Sequence, residues 1–301
     1  MSDPESFNHL LGVAAALSAA ACWAFSSILF RWAGDALSAV VLNITKSIVA
    51  ILFLLIVLSV SGVQPIPANT FWILAASGFV GITIGDTLFF LALMRLGPRV
   101  TLAGTTLVPV ATALGAGWWL DERIGWGGWI GVALVLIGVA TVMWIRADAD
   151  AAGRRTIHSG WFYGLGYIVA ETAGILLTKI GIEEVSAAQA TLIRQVVAVA
   201  GLMAWSAVTG TLLSGWRPLR NIRIAFLVLV AGFFGSALGM WFAVAAIKYT
   251  HASVAATLIA TSPLFVLPMA AVMLKEKVSL RVAAGAVVAV LGVAVLLREG
   301  L

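Results

Sequence analysis

Charge is the scarcest commodity in this chain. Of 301 residues, 10% are Asp, Glu, Lys or Arg and 62% are hydrophobic, with a mean hydropathy of +1.08. Soluble domains carry about 25% charged residues, so a water-facing surface is excluded and a bilayer is expected. Cysteine is nearly absent. Cys22 alone excludes an intrachain disulfide and any cysteine-based metal cluster. His9, His158 and His251 are the only histidines and show no metal-ligand spacing, so neither a metal nor another cofactor is expected. No G-x-x-x-x-G-K-[ST] loop occurs, which removes the phosphate cradle of an ATP-driven pump. Residues 1–9 lack Lys and Arg, so the first apolar run reads as a retained membrane helix rather than a cleaved signal. The net charge is +5 and the pI 9.8. Yet the basic residues sit between apolar runs and form no stripe, so they read as helix-orienting loop charges and not as a nucleic-acid surface.

What is abundant is apolar sequence in lengths that fit a membrane. A hydrocarbon core about 30 Å thick needs roughly 20 helical residues. Runs of that kind fall near 10–30, 38–60, 70–95, 99–119, 126–145, 160–180, 187–209, 223–247, 252–273 and 279–297. The expected class is therefore an all-α integral membrane protein with ten transmembrane helices, multi-pass in the cell membrane. The longest polar gap, Arg146 to Gly160, lies midway and divides the chain into halves 1–147 and 148–301.

The two halves repeat each other. "TTLVPVATALGAGWWLDERI" (Thr105–Ile124) matches "IATSPLFVLPMAAVMLKEKV" (Ile259–Val278), with Pro109 and Pro263, and Glu122 and Glu276, each 154 positions apart. At that offset Gly78, Gly81 and Gly85 meet Gly232, Gly235 and Gly239, and Gly131 and Gly138 meet Gly285 and Gly292. Upstream an offset of 148 aligns Arg31 with Lys179, Ser38 with Ser186 and Lys46 with Arg194. Five spans is an odd number, so a directly linked copy must insert upside down. Two inverted five-helix repeats follow, the design of many secondary transporters, with two near-equivalent packings whose exchange is alternating access.

This set resembles the EamA-type members of the drug/metabolite transporter superfamily. The features that carry it are two five-helix halves, proline-containing fourth and ninth helices ending in "LDER" and "LKEK", and a Lys or Arg in the second and seventh helices. The resemblance spans essentially the whole chain. It implies ten helices around a central cavity and a substrate among amino acids, other metabolites, nucleotide-linked sugars and drugs.

Ionisable groups at bilayer depth are costly and default to function. Four stand out: Lys46, Asp86, Glu171 and Arg194. Lys46 and Arg194 are repeat equivalents, three residues after Asn43 and Thr191, a spacing that puts each pair on one helix face; their presence in both halves argues for a shared structural job, such as holding helix ends or pairing with an acid. Asp86 instead aligns with Met240, and Glu171 with Trp23. Acids present in one half only are candidates for proton coupling or for binding a substrate amine; the competing role is a permanent ion pair with Lys46 or Arg194. Trp23, Ser26 and Ser27 share a face of helix 1, Thr83 precedes Asp86 by one turn, Trp241 follows Met240, and Thr106 and Thr261 lie near the prolines. Aromatic walls with a few polar groups describe a small-molecule pocket. Trp118, Trp119, Trp126 and Trp129 cluster at a helix end and read as an interfacial belt. Gly81-x-x-x-Gly85 and Gly235-x-x-x-Gly239 permit close helix packing. Pro109 and Pro263 should kink helices 4 and 9 and are hinge candidates.

The expected function is secondary transport of a small organic metabolite such as an amino acid, by an exporter or exchanger, with protons as a candidate coupling ion. A monomer or weak homodimer in the lipid bilayer is expected. The alternative is an integral membrane enzyme acting on lipid or acyl substrates, which requires a cluster of His, Asp or Glu near one interface. For orientation, the loops joining helices 1–2, 3–4, 5–6, 7–8 and 9–10 hold most of the basic residues, among them Arg95, Arg99, Arg154, Arg155, Lys275 and Lys277. The positive-inside rule then places both termini outside the cytoplasm, whereas the resemblance implies cytoplasmic termini.

Overall fold

The computed structural model describes residues 4–33, 39–122, 124–147, 157–208, 216–273 and 280–299, and among them there is no strand. A backbone in lipid has no water to bond with, so helix is the form that satisfies every N–H and C=O within one segment. The first half contains α1 (Pro4–Ala33), α2 (Ala39–Ser61), α3 (Ala68–Gly78), a π-helical segment (Phe79–Asp86), α4 (Thr87–Thr105), α5 (Leu107–Trp119) and α6 (Trp126–Ala147). The second contains α7 (Ile157–Gly181), α8 (Ala187–Val208), α9 (Ile222–Gly232), a second π segment (Phe233–Gly239), α10 (Met240–Tyr249), α11 (Ala252–Ile259), α12 (Ser262–Met273) and α13 (Leu280–Glu299). These make up the ten expected spans, the third and eighth each being α-π-α and the ninth being α11 with α12.

One boundary differs from expectation. The turn between the third and fourth runs falls inside α4, where helical hydrogen bonding continues across Gly97 and Pro98. Proline's fixed φ near −65° is itself helical, so Pro98 forfeits one bond without redirecting the assignment. In the second half the chain does open at the matching place. Thr250 (φ −142°, ψ 176°) and His251 (φ −60°, ψ 139°) are extended between α10 and α11.

The halves are inverted, and the glycines show it. A Cβ on Gly131 would stand 3.1 Å from the Gly292 carbonyl, and one on Gly138 would stand 2.5 Å from that of Gly285. The lower number on α6 meets the higher number on α13, so these repeat-equivalent helices run antiparallel in contact. The same holds for α2 and α8: Leu58 and Leu54, near the end of α2, cluster with Ala188 and Leu192 at the start of α8. Gly62 (φ +83°) closes α2, its N–H reaching back to the Leu58 carbonyl, a left-handed cap that costs a glycine least.

Each half also lends a helix to the other. α1 packs on α9, the second π segment, α10, α11 and α12, whereas α7 packs on α3, the first π segment, α4 and α5. The buried stripe of α1 is alanine (Ala16, Ala19, Ala20, Ala24), small enough for close approach where lipid offers no hydrophobic drive. Large side chains such as Leu52, Ile56 and Val60 point outward instead. Trp118, Trp119 and Trp126 are exposed at the end of α5 and the start of α6, and Trp129 is partly exposed.

The fourth and ninth spans each break beside the expected proline, Pro109 or Pro263. Both stand in the first turn of a new helix, Pro109 third in α5 and Pro263 second in α12. There the missing N–H has no intrahelical partner to lose. The breaks come just before them, at Thr106 (φ −65°, ψ −13°) and its repeat mate Ala260 (φ −64°, ψ −8°).

Gly138→Ala is expected to destabilise the protein by about 1–3 kcal/mol through overpacking against α13. Gly104→Ala, where a Cβ meets nothing within 4 Å, should stay within about 0.5 kcal/mol. Thermal unfolding of the two variants in detergent checks the contrast.

Candidate functional site

The four charged residues gather where α7 and α8 pack on the first π segment, beside α2. Gly78 of α3 has no side chain, and a Cβ there would sit 2.6 Å from the Arg194 carbonyl, so α3 rides directly on the α8 backbone. Gly232 stands in the same relation to Lys46 of α2, 3.1 Å from its Cα. The repeat thus places each cation against the glycine face of an α-π-α span.

The two cations are then used differently. Arg194 is buried, and its Nη1 donates to Ser77 Oγ at 2.8 Å and to the Gly174 carbonyl at 3.2 Å. Its Nε is buried with no hydrogen-bond partner. Lys46 Nζ pairs with Asp86 Oδ2 at 3.2 Å, and both side chains are about a quarter exposed (23% and 27%). In this conformer Asp86 therefore occupies the ion-pair role. Glu171 does not. Its Oε2 lies 3.6 Å from where a Gly85 Cβ would be, beside the π segment that ends in Asp86. It interacts electrostatically with Asp86, Arg194 and Lys46, yet among the described residues it forms no ion pair within 4 Å. Tyr167, one turn before it on α7, faces the same carboxylates and packs on Phe89 with ring centroids 5.2 Å apart.

Where Glu171 of α7 stands beside the first half's π segment, Trp23 of α1 stands beside the second half's, and its Nε1 donates to the Gly235 carbonyl at 2.7 Å. A π-helix pairs its carbonyls one residue further along than an α-helix and is a frequent functional-site device. In the second half an indole donor anchors that segment. A carboxylate cannot donate to it, so the first half presents an acceptor in the same place.

The remaining candidates scatter. Ser27 is exposed and bonds to Ala24 of its own helix at 2.7 Å; the hydroxyl that crosses between halves is Ser26, donating to the Ala231 carbonyl at 2.8 Å. Thr83 is buried, its side chain packed against Gly201 and its hydroxyl 3.4 Å from the Ala198 carbonyl. Trp241 packs on Phe53 in the α2–α8 seam. Thr261 bonds to Leu258 of its own span, and Thr106 forms the break before α5. Thr191 bonds to Ala187 and not to Arg194. A groove at the α2–α8 seam, lined by Leu55, Leu58, Ile66, Gln189 and Leu192 among others, includes none of the four charges. Among the described residues no His/Cys/Asp/Glu group could hold a metal. Glu276, Arg123, Arg154, Arg155, Lys275 and Lys277 lie outside the described residues.

Sequence reasoning missed Ser77, the partner of Arg194, and the π form of both glycine-rich stretches. The signal available for Ser77 was a lone hydroxyl directly before Gly78. It also missed Ser186 as the N-cap of α8, with Gln189 N–H donating to Ser186 Oγ at 3.2 Å.

Ten apolar spans in antiparallel repeats, crossing at a cluster of four charges, define a polytopic membrane protein with a polar centre. The model of the EamA-like transporter family matches residues 10–144 and again 158–298, and the chain belongs to that family. An uncharacterized transporter of Archaeoglobus fulgidus is 25% identical over 290 residues, covering 96% of this chain and 98% of the relative. A protein of known crystal structure, 18% identical, superposes over 94% of this chain and 95% of its own with a TM-score of 0.76, a likeness of fold. The chain is thus a multi-pass membrane transporter within the drug/metabolite transporter superfamily.

Ser77→Ala removes an acceptor from a buried guanidinium and is expected to cost about 1–3 kcal/mol. Ser26→Ala, which loses a neutral hydrogen bond, should cost about 0.5–1.5 kcal/mol. Thermal midpoints of the purified variants test this order.

Proposed function

We propose that the protein is a secondary transporter, exporting or exchanging a small organic metabolite such as an amino acid by alternating access. The supporting observation is the state of Glu171. A partly buried carboxylate without an ion pair, set beside Asp86, Lys46 and Arg194, is an acceptor held ready for a proton or a substrate amine. A scaffold acid would be paired, as Asp86 is with Lys46. Its repeat mate is Trp23, so one half carries the chemistry and the other the anchor.

In this reading Arg194 offers its unpartnered Nε to a substrate carboxylate, and Lys46 releases or retains Asp86 as charge arrives. The halves, 1–147 and 148–301, rock about the antiparallel α6–α13 contact. The breaks before Pro109 and Pro263 absorb the motion of the fourth and ninth spans. Fixed φ at both prolines confines bending to the residues just before them.

Glu171→Gln and Asp86→Asn are each expected to lower coupled flux in proteoliposomes at least about tenfold while insertion and elution as a folded protein persist. The substrate is first found by thermal-shift and uptake screening against a metabolite library. Normal flux through both variants at every pH tested would refute the assignment of these acids.

A further inference from the structure

A second cluster lies at the membrane face that holds the start of α1. Asp121 adopts φ +51°, a left-handed turn that Asp tolerates better than most residues. The turn brings Glu122 inward, its N–H returning to the Ala116 carbonyl at 3.2 Å, and leaves its side chain 8% exposed. Glu122 Oε2 accepts the N–H of Ala252, first residue of α11, at 2.8 Å. Lys179 Nζ at the end of α7 and His251 Nδ1 each stand 3.6 Å from the carboxylate. Lys179 also donates to the carbonyls of Ile247 and Thr250, at the end of α10, at 3.0 and 2.7 Å. Thr250 Oγ1 in turn lies 3.1 Å from His9 Nδ1 of α1. Burial alone would raise the Glu122 carboxyl; the His251 ring, the Lys179 charge and the Ala252 N–H together hold it below its ordinary value. One first-half carboxylate therefore ties down three helix ends of the second half.

The repeat asks what stands at the opposite face, and there the match fails. Glu276 has the position of Glu122, and Arg31 that of Lys179. But Ala252 aligns with Pro98, which has no N–H, and His251 with Gly97, which has no side chain. The extended stretch that frees the start of α11 is also missing in the first half, where α4 runs on through the same positions. Of the three groups that meet Glu122, Glu276 retains a counterpart for the cation alone.

We propose that Glu122 is a one-sided latch, closing the face that bears the start of α1 more firmly than the opposite face can close and so setting the resting conformation of the transporter. This rests on the alternating-access reading. Glu122 is a positioning residue: it touches no part of the four-charge cluster and acts by holding α5 against α7, α10 and α11.

The test uses full-length protein in proteoliposomes with Cys22→Ala and Ser253→Cys, Ser253 being a fully buried residue next to the latch. An impermeant thiol reagent is applied from that face without substrate. Glu122→Gln is expected to raise the labelling rate about tenfold or more, the scale of a lost charge-assisted hydrogen bond. Ala252→Pro should do the same. It deletes the N–H that Glu122 accepts, at a first helical position whose backbone suits proline, after a residue already extended, and it decides the matter if Glu122→Gln does not fold. Glu276→Gln should leave the rate unchanged. Unmoved labelling in Ala252→Pro, or an equal rise in Glu276→Gln, overturns the latch. If labelling stays fixed while Glu171→Gln still loses flux, the latch alone has failed. If flux survives both acid replacements, the transport site has failed, whatever the labelling shows.

Discussion

Close contact between helix backbones is the constraint on which this structure depends. Lipid tails are as apolar as leucine, so two helices gain nothing by hiding side chains from each other and must gain from packing and polar bonds. Gly78 on Arg194, Gly232 on Lys46, Gly131 on Gly292 and Gly138 on Gly285 are all places where one backbone touches another. Remove that contact and the cations lose their seats, because each is positioned by the helix that lies on its own backbone.

On this symmetric frame the chemistry is asymmetric. Both π segments occupy matching residues, and both face the neighbour that the repeat dictates: Gly235 and Gly239 lie against Ser26 and Trp23, Gly81 and Gly85 against Gly174 and Glu171. In one half an indole donor ties the segment down; in the other a carboxylate lies beside it. Duplication supplies two equivalent packings, and substitution at a few of its positions makes them unequal in charge. The proposed alternating access needs both: near-degenerate states to move between, and a reason for solute or proton to bias them.

The architecture was largely legible from spacing. Offsets of 154 and 148 paired residues that the fold indeed treats as equivalents, down to the φ and ψ values at Thr106 and Ala260. Lys46, Asp86, Glu171 and Arg194 could be singled out because charge in an apolar run is conspicuous, and the fold gathers all four. Their partners could not be read. Whether Asp86 meets Lys46 or Arg194 depends on the helix exchange, which no local pattern encodes. Hydroxyls misled for a related reason: Ser27 and Thr261 turn back to carbonyls of their own helices, an option open to any helical Ser or Thr. The prolines marked the broken spans, although the breaks themselves fall three residues earlier, at Thr106 and Ala260.

The exchange of α1 and α7 bears on how the chain is made. When α1 leaves the ribosome, the surface it packs on, α9 through α12, is still some two hundred codons away. Its alanine stripe waits in lipid, where small apolar residues are harmless and the helix satisfies its own backbone, while Trp23 and Ser26 await their acceptors on Gly235 and Ala231. The acidic counterpart waits much less. Glu171 is translated after α3, the first π segment, α4 and α5, the elements on which α7 packs. Order of synthesis thus separates the two exchanged helices: α1 is kept waiting for its partners, whereas α7 follows its own, and only Arg194 of α8 has still to join the charges around Glu171.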